Sequence, residues 1–373
     1  MLIGIDFREA YGKRAGKGCY AFHLVSEILK NDRDNQYILY TSKPANQFEK
    51  YSNVTIKVIT SKSFLWHLAV LKHLYKENVD LFFAPTSYII PALHNPNKIK
   101  VAMTVHDLVA FLFPNSHNKK AMFAERIFLK KALRKVVHIF AVSLNTKRDL
   151  ITQFFTPNHL VSIVSNAASE DFKVVPNDEL KKFKTENKLP EKFIFAAGTL
   201  EPRKNFCMLI RAFNKVKKEF PKYKLLIAGS KGWYYDEIFE TVEELKLAED
   251  VKFLGYVTED ELIKLYNLAE IFVYPSIYEG FGIPPLEAMK CGCPVITSNT
   301  SSLPEVVGDA ALKINPKKEK ELADVIIKLL KDENLCSELK KKGFEQAQKF
   351  SWEKSAKEVI KFFNKLDESS QTV

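Results

Sequence analysis

Glu279 and Glu287 stand eight positions apart around Gly280-Phe281-Gly282-Ile283-Pro-Pro. Carboxylates accept paired hydrogen bonds from neighbouring hydroxyls, and glycines let backbone N–H groups approach a ligand closely. A loop built this way suits a hydroxyl-rich ligand. The alternative is that Glu287 only caps a helix and Glu279 lies on the surface. A second run, Gly198-Thr199-Leu-Glu-Pro-Arg203-Lys204-Asn205, follows an apolar strand and opens a helix that Asn205 is placed to cap. A helix start offers unpaired N–H groups and the positive end of a dipole. With Arg203 for bidentate contact and Lys204 as a point charge, the run reads as an anion site. Its competitor is a surface turn with two solvated cations.

Two weaker constellations accompany these. Gly12-Lys-Arg-Ala-Gly16-Lys17-Gly18 forms a glycine loop with cations between the first strand and the first helix. It lacks the spacing of a dinucleotide fingerprint. His106-Asp107 closes another strand and fits catalysis, substrate hydrogen bonding or a structural role. The other seven histidines show no metal-ligand spacing, and neither a Gly-x-Ser-x-Gly elbow nor a Gly-Lys-Ser/Thr phosphate loop occurs. Asp32-Arg-Asp34 has a metal-type spacing but falls in a polar turn and reads as surface.

The elements that must carry these residues alternate. Short apolar runs at Met1–Ile5, Tyr37–Thr41, Val54–Val58, Leu81–Ala84, Lys100–Thr104 and Ile139–Val142 read as strands. Stretches with helical periodicity at 17–30, 118–136 and 144–154 lie among them. The pattern restarts after a joint near 166–178. Strands then fall at Phe193–Ala197, Lys224–Ala228, Val251–Phe253, Ile271–Tyr274 and Val295–Thr297. Helices fall at 178–187, 205–219, 234–246, 259–268 and 284–291, and a last one at 351–366, with Ser351 as N-cap. Such alternation predicts an α/β chain of parallel sheets, with ligands at the carboxyl ends of the strands.

The chain has 373 residues, 46% hydrophobic and 27% charged, which fits a folded chain of two domains. Its formal net charge is +11. Residues 1–170 hold 23 Lys and Arg against 12 Asp and Glu, whereas the remainder has 33 of each. One half therefore faces an anionic partner, or is merely Lys-rich. No apolar run reaches the ~18 residues of a membrane span, and the start lacks a signal peptide pattern. Five scattered cysteines read as buried free thiols of a cytoplasmic protein.

Taken together, Gly198–Asn205, Glu279–Met289 and Cys291-Gly-Cys-Pro-Val-Ile-Thr-Ser298 resemble the family-four retaining glycosyltransferases, glycosyltransferase group 1. Gly4–Asp6, Gly16–Tyr20, Thr104–Leu108, Val142–Leu150, Val164–Ala168 and Phe350–Trp352 follow in family order. Within the family the chain resembles bacterial polysaccharide mannosyltransferases. The resemblance implies a GT-B fold, two facing Rossmann-like domains with a cleft between them. Residues 1–170 would hold the acceptor, 171–350 the nucleotide-sugar, and 351–373 would cross back to the first domain. It also implies roles. Lys204 binds donor phosphates, with Arg203 replacing a family arginine where Thr199 stands. Glu279 meets the donor sugar and Glu287 the ribose. The loop through Gly280, Phe281, Gly282 and Ile283 offers amides. Gly198, Gly16 and Gly18 line the diphosphate, and His106 sits near an outer sugar hydroxyl. Asn166-Ala-Ala168 departs from the usual Asn-Gly-Val, which bears on the joint and not on activity.

The expected partners are a nucleotide-diphosphate sugar and a glycan or lipid-linked acceptor, with no metal or other cofactor and no specific nucleic acid. Rival readings are an epimerase or phosphorylase on the same fold, and a basic nucleic-acid- or membrane-binding module. The stretch Lys119–Lys135 is basic and amphipathic. It either packs Phe123, Ile127, Phe128, Ala132 and Leu133 on the core or meets an anionic membrane at the inner face of the cell membrane.

Overall fold

The computed structural model describes residues 1–11, 16–113 and 119–371. They divide into two units. The first takes the described residues up to Asn166 and those from Ser351 onward; the second is Ala167–Phe350. The division thus falls at Asn166, and the last helix belongs with the amino-terminal residues.

The first unit runs β1 (Leu2–Asp6), α1 (Gly16–Asn31), β2 (Gln36–Thr41), β3 (Val54–Val58), α2 (Ser63–Lys76) and β4 (Leu81–Ala84). It continues through α3 (Ile89–Leu93), β5 (Lys100–Val105), α4 (Val109–Leu112), α5 (Lys119–Leu133), β6 (His138–Ala141), α6 (Leu144–Phe154) and β7 (Val161–Ile163). The second runs α7 (Asn177–Glu186), β8 (Lys192–Ala197), α8 (Phe206–Glu219), β9 (Tyr223–Ala228), α9 (Asp236–Glu244) and β10 (Val251–Gly255). After α10 (Glu259–Leu268) come β11 (Ile271–Tyr274), α11 (Ile283–Lys290), β12 (Val295–Ser298), α12 (Leu303–Val307) and β13 (Ala311–Ile314). The helices α13 (Glu319–Lys331) and α14 (Glu333–Ala347) complete it, and α15 (Trp352–Gln371) returns to the first unit.

Both sheets are parallel and wound alike. Their orders are β3-β2-β1-β4-β5-β6-β7 and β10-β9-β8-β11-β12-β13. The direction of winding reverses between β1 and β4 and between β8 and β11, where doubly wound sheets leave a crevice at the carboxyl ends of their strands. Helices on both faces explain the unbroken apolar strands: β11, Ile-Phe-Val-Tyr, is buried at every residue. The core of the second unit gathers Ile194, Phe213, Ile227, Ile271 and Ile296, with Phe206, Leu209, Phe213 and Val216 forming one face of α8. In the first unit, Phe82, Val101, Leu129 and Ile139 share a core.

Several expectations are corrected. Asp32 is not on the surface. It is 3% exposed and accepts hydrogen bonds from Tyr37 Oη (2.5 Å) and Asn35 Nδ2 (2.7 Å). Of the cysteines only Cys291 and Cys293 are buried; Cys19, Cys207 and Cys336 are partly exposed, and all five are free. On α5, Ala132 packs inward and Phe128 and Leu133 are half-buried, but Phe123 and Ile127 are exposed. Ser351 does cap α15: its Oγ accepts from the Lys354 N–H at 3.2 Å. Among the described residues no helix is long and apolar enough to cross a membrane.

Candidate active site

Neighbouring strands β8 and β11 send out the loops that carry residues 198–205 and 275–282. Backbones crowd at this end of the sheet. A Cβ on Gly229 would lie 1.8 Å from the Gly198 carbonyl oxygen, so only glycine fits there. Gly198 itself is half-buried beside the Lys204 stem, and Thr199 is exposed. Pro202-Arg203-Lys204 makes one 3-10 turn, Asn205 takes a left-handed backbone (φ 62°), and α8 begins. The Asn205 side chain does not cap α8, contrary to expectation. Its amide donates instead to the carbonyls of Pro275 (3.1 Å) and Pro316 (2.8 Å), tying two loops to the helix start.

At the centre, Lys204 Nζ donates to Tyr274 Oη (2.6 Å) and Glu279 Oε1 (2.7 Å), and Tyr274 Oη donates to the same carboxylate oxygen (3.0 Å). Arg203 pairs Nη1 with Glu279 Oε2 (2.7 Å) and with the Tyr278 carbonyl (2.6 Å), and Nη2 with Glu201 Oε1 (2.5 Å). The side chains of Arg203 and Lys204 are only 14% and 11% exposed, which removes the reading of two solvated cations. Glu201 and Glu279 pair with both cations, so their charges are balanced within the site. The cluster is a neutral, hydrogen-bonded network at the positive end of α8.

Burial would raise the Glu279 carboxyl, but Arg203 and Lys204 outweigh it and hold it at about 2. Burial lowers Lys204 below its ordinary value, with Glu279 opposing. Burial and then Glu279 raise Tyr274 well above its usual range, so the phenol keeps its proton.

The loop holding Glu279 is itself fixed. The Glu279 N–H donates to Ser301 Oγ (3.0 Å), and Ser302 Oγ lies 2.9 Å and 2.7 Å from the carbonyl oxygens of Glu279 and Phe281. Gly280 and Gly282 are buried and Ile283 is half-buried. Gly282 turns the chain into α11 at φ 100°, where a Cβ would lie 2.7 Å from Leu303 Cδ2. Phe281 is a packing residue, edge-on to Phe350 at 5.6 Å. Glu287, on α11, stands apart from the cations. Burial pushes its carboxyl up to about 7, although Tyr266 Oη donates to Oε2 at 3.1 Å.

The remaining expected residues belong to the first unit. His106 is buried, with Nε2 2.7 Å from the Pro85 carbonyl oxygen. That nitrogen therefore carries the hydrogen, and Nδ1 of the neutral ring is an acceptor. Burial, with Lys17 adding, lowers His106 to about 4, so it is uncharged near neutrality. Tyr20 meets its ring edge-on at 4.7 Å. Gly16 and Gly18 lie in the first turn of α1 and not in a loop, while Gly12–Ala15 lie outside the described residues. Among the described residues no three His, Cys, Asp or Glu side chains gather to hold a metal.

Sequence reasoning missed Glu201, Tyr266 and Tyr274 as functional partners, and Ser301 and Ser302 as loop clamps. Tyr274 ends the strand that feeds the glycine loop, a position from which an inward hydroxyl reaches that loop. Glu201 stands only two positions before Arg203, so its pairing is within local reach. Tyr266, Ser301 and Ser302 touch the site from positions 21 to 23 residues away and leave no local signal.

Two Rossmann-like units, one with an Arg-Lys-Glu network at the reversal of its sheet, define the GT-B class. The profiles described as Glycosyltransferase Family 4 and Glycosyl transferases group 1 match residues 20–172 and 177–346. The chain is 33% identical over 281 residues to O-antigen chain mannosyltransferase B of Escherichia coli, covering 74% of this chain and 73% of that one. It is 35% identical over 285 residues to serotype-specific mannosyltransferase WbdA of Escherichia coli, covering 74% of this chain but 34% of WbdA, about a third of that longer protein. The crystal structure of Anabaena Alr3699/HepE in complex with UDP and glucose matches the fold with a TM-score of 0.78 over 98% of this chain and 99% of that one, at 17% identity. The chain belongs to the group 1, family-four glycosyltransferases.

Proposed function

We propose that this glycosyltransferase moves a mannosyl group from GDP-mannose to a hydroxyl of a glycan or lipid-linked acceptor, with retention at the anomeric carbon. The observation that carries the reading is the buried Arg203–Lys204–Glu279 network at the start of α8. The mannosyl group is favoured because relatives similar to this chain are named O-antigen mannosyltransferases. A UDP-sugar is the competing donor, since UDP occupies the HepE structure.

In this reading the donor diphosphate meets Lys204 and Arg203, with the α8 dipole and the amides of the 280–283 loop adding to them. These groups stabilise the charge that grows as the anomeric C–O bond to phosphate breaks. No metal is then needed for that task. The acceptor oxygen attacks from the face the leaving group departs, through an oxocarbenium-like state. Its proton passes to a leaving phosphate oxygen. Glu279, ionised at any ordinary pH, orients the sugar and is not the nucleophile. Glu287 accepts from ribose hydroxyls. Neutral His106 offers Nδ1 to a sugar hydroxyl.

A donor screen tests the assignment, with thermal shift and turnover measured for GDP-mannose and UDP-glucose. GDP-mannose should raise the melting temperature and be consumed with acceptor present, giving an α-linked product from the α-linked donor. Preference for the UDP-sugar overturns the donor. A β-linked product overturns retention, and an epimerised or phosphorolysed sugar without acceptor overturns transfer.

A further inference from the structure

In the first unit the winding reverses between β1 and β4, and three side-chain oxygens at that end of the sheet have no hydrogen-bond partner among the described residues. Asp6 Oδ2 ends β1, and Thr86 Oγ1 and Tyr88 Oη follow β4. Ile5 lies opposite Phe83 in the sheet, so the two strand ends are neighbours. Asp6 is 1% exposed, and Thr86 and Tyr88 are 6% each. Buried polar groups are normally paired, so three exceptions at one strand end point to a ligand.

Burial pushes the Asp6 carboxyl up to about 6 against the pull of Arg8, which leaves it ionised near neutrality and in need of donors. Burial, then Glu125 and Asp107, raise Tyr88 well above its usual range, so its phenol keeps a proton to donate. The Thr86 hydroxyl donates or accepts. An acceptor, a donor and a group that does either suit the hydroxyls of a sugar ring.

Charge then selects among sugars. Residues 1–170 are strongly basic, but at this strand end acids outnumber bases. Lys17 Nζ stands 5.9 Å from the centre of the Tyr88 ring. Burial lowers Lys17, yet the charges of Asp107, Glu125 and Glu9 outweigh it and raise Lys17 above its ordinary value. Arg8 lies 3.7 Å from Glu9. With Asp6, four carboxylates therefore meet two cations, and a phosphate group here meets more repulsion than attraction.

We propose that Asp6, Thr86 and Tyr88 hold the terminal sugar of the acceptor, and that this sugar is a neutral ring without a phosphate group. Calling the ligand an acceptor rests on the transferase reading above; the identity of the donor does not enter.

Saturation-transfer NMR titrations of the whole chain test it, without donor. The probes are the methyl α-glycosides of mannose, galactose and N-acetylglucosamine, and the 6-phosphate of each. At least one neutral glycoside should bind, roughly tenfold or more tightly than its 6-phosphate. Asp6→Asn should weaken that binding about tenfold and Thr86→Val severalfold, with GDP affinity at the wild-type value in both and melting temperature unchanged in Thr86→Val. Glu9→Lys, at an exposed side chain, should narrow the preference for the neutral ring. Binding by none of the glycosides, equal or tighter binding of the 6-phosphates, wild-type affinity in either Asp6→Asn or Thr86→Val, or an unchanged preference in Glu9→Lys would overturn the proposal. A failed donor reading shows elsewhere, as a wild type that binds glycoside but not GDP.

Discussion

Glu279 and Glu287 sit at the two ends of one glycine loop, yet their surroundings push them in opposite directions. Glu279 is buried and Glu287 half-buried, and desolvation raises both. Glu279 meets Arg203 and Lys204 and is held at about 2; Glu287 accepts from a tyrosine hydroxyl but also feels the Glu259 charge, and rises to about 7. Two carboxylates with separated protonation can take separate tasks. Glu279 is a fixed anion that orders two cations. Glu287 is poised to change charge when hydroxyls approach it.

The two also contribute to stability with opposite sign. The folded value of Glu279 lies below its ordinary 4.5. Its contribution is present above that value and is lost as pH falls toward 2, on the order of 3 kcal/mol in all. The folded value of Glu287 lies above 4.5, so its contribution is complete below 4.5 and is lost as pH rises through about 7.

Four variants probe this contrast. Lys204→Ala should have the largest effect, lowering kcat/KM about 10³-fold in steady-state transfer assays while the fold persists. Near-normal turnover would remove its phosphate role. Glu279→Gln should reduce kcat about 10²-fold and also lower the melting temperature, because Lys204 loses its carboxylate partner while Arg203 keeps Glu201, at a cost of about 3 kcal/mol. A variant stable and fully active would reduce Glu279 to a bystander. Tyr274→Phe removes one hydrogen bond to Lys204 and one to Glu279 but no charge, so roughly a tenfold loss in kcat is expected. An unchanged rate would show that the ion pair alone orders the site.

Glu287 gives the smallest effect and the most specific one. Hydroxyls that donate to its carboxylate favour the ionised form. Nucleoside diphosphate affinity should therefore rise several-fold between about pH 6 and 8, and the slope should vanish in Glu287→Gln. A slope that survives the substitution would place the titrating group elsewhere.

The sequence carries the scaffold of this contrast better than its chemistry. β4, β11, α6 and α10 fall where their sequences predict, because each is a buried apolar run or carries a cap, as Thr258 with Glu261 does for α10. β3 also falls where predicted, as an edge strand whose apolar residues alternate with polar ones and in which no residue is buried. Positions 299–350 have no sequence assignment, although they form α12, β13, α13 and α14. β13 is four residues long and half of it is not buried, which gives no strand signal. For α13 the spacing of Leu322, Ile326 and Leu329 is legible and shows what the reading omits. In the site, residue types announce themselves while pairings do not. Arg203 and Lys204 read as open cations because Glu279, which pairs with both, lies 75 positions beyond Lys204. Asp32 reads as surface because its partners, Tyr37 and Asn35, reveal themselves only once β2 is in place. Asn205 has the composition of a cap, but its amide bridges to loops far along the chain.

The central claim is that the Arg203–Lys204–Glu279 network receives a diphosphate. Calorimetry with GDP and GMP on the wild type and on Lys204→Ala tests it most directly. The account predicts that the wild type binds GDP at least tenfold more tightly than GMP, and that Lys204→Ala binds both with the weaker affinity. Equal affinities for GDP and GMP in the wild type, or an undiminished preference for GDP in Lys204→Ala, would contradict it.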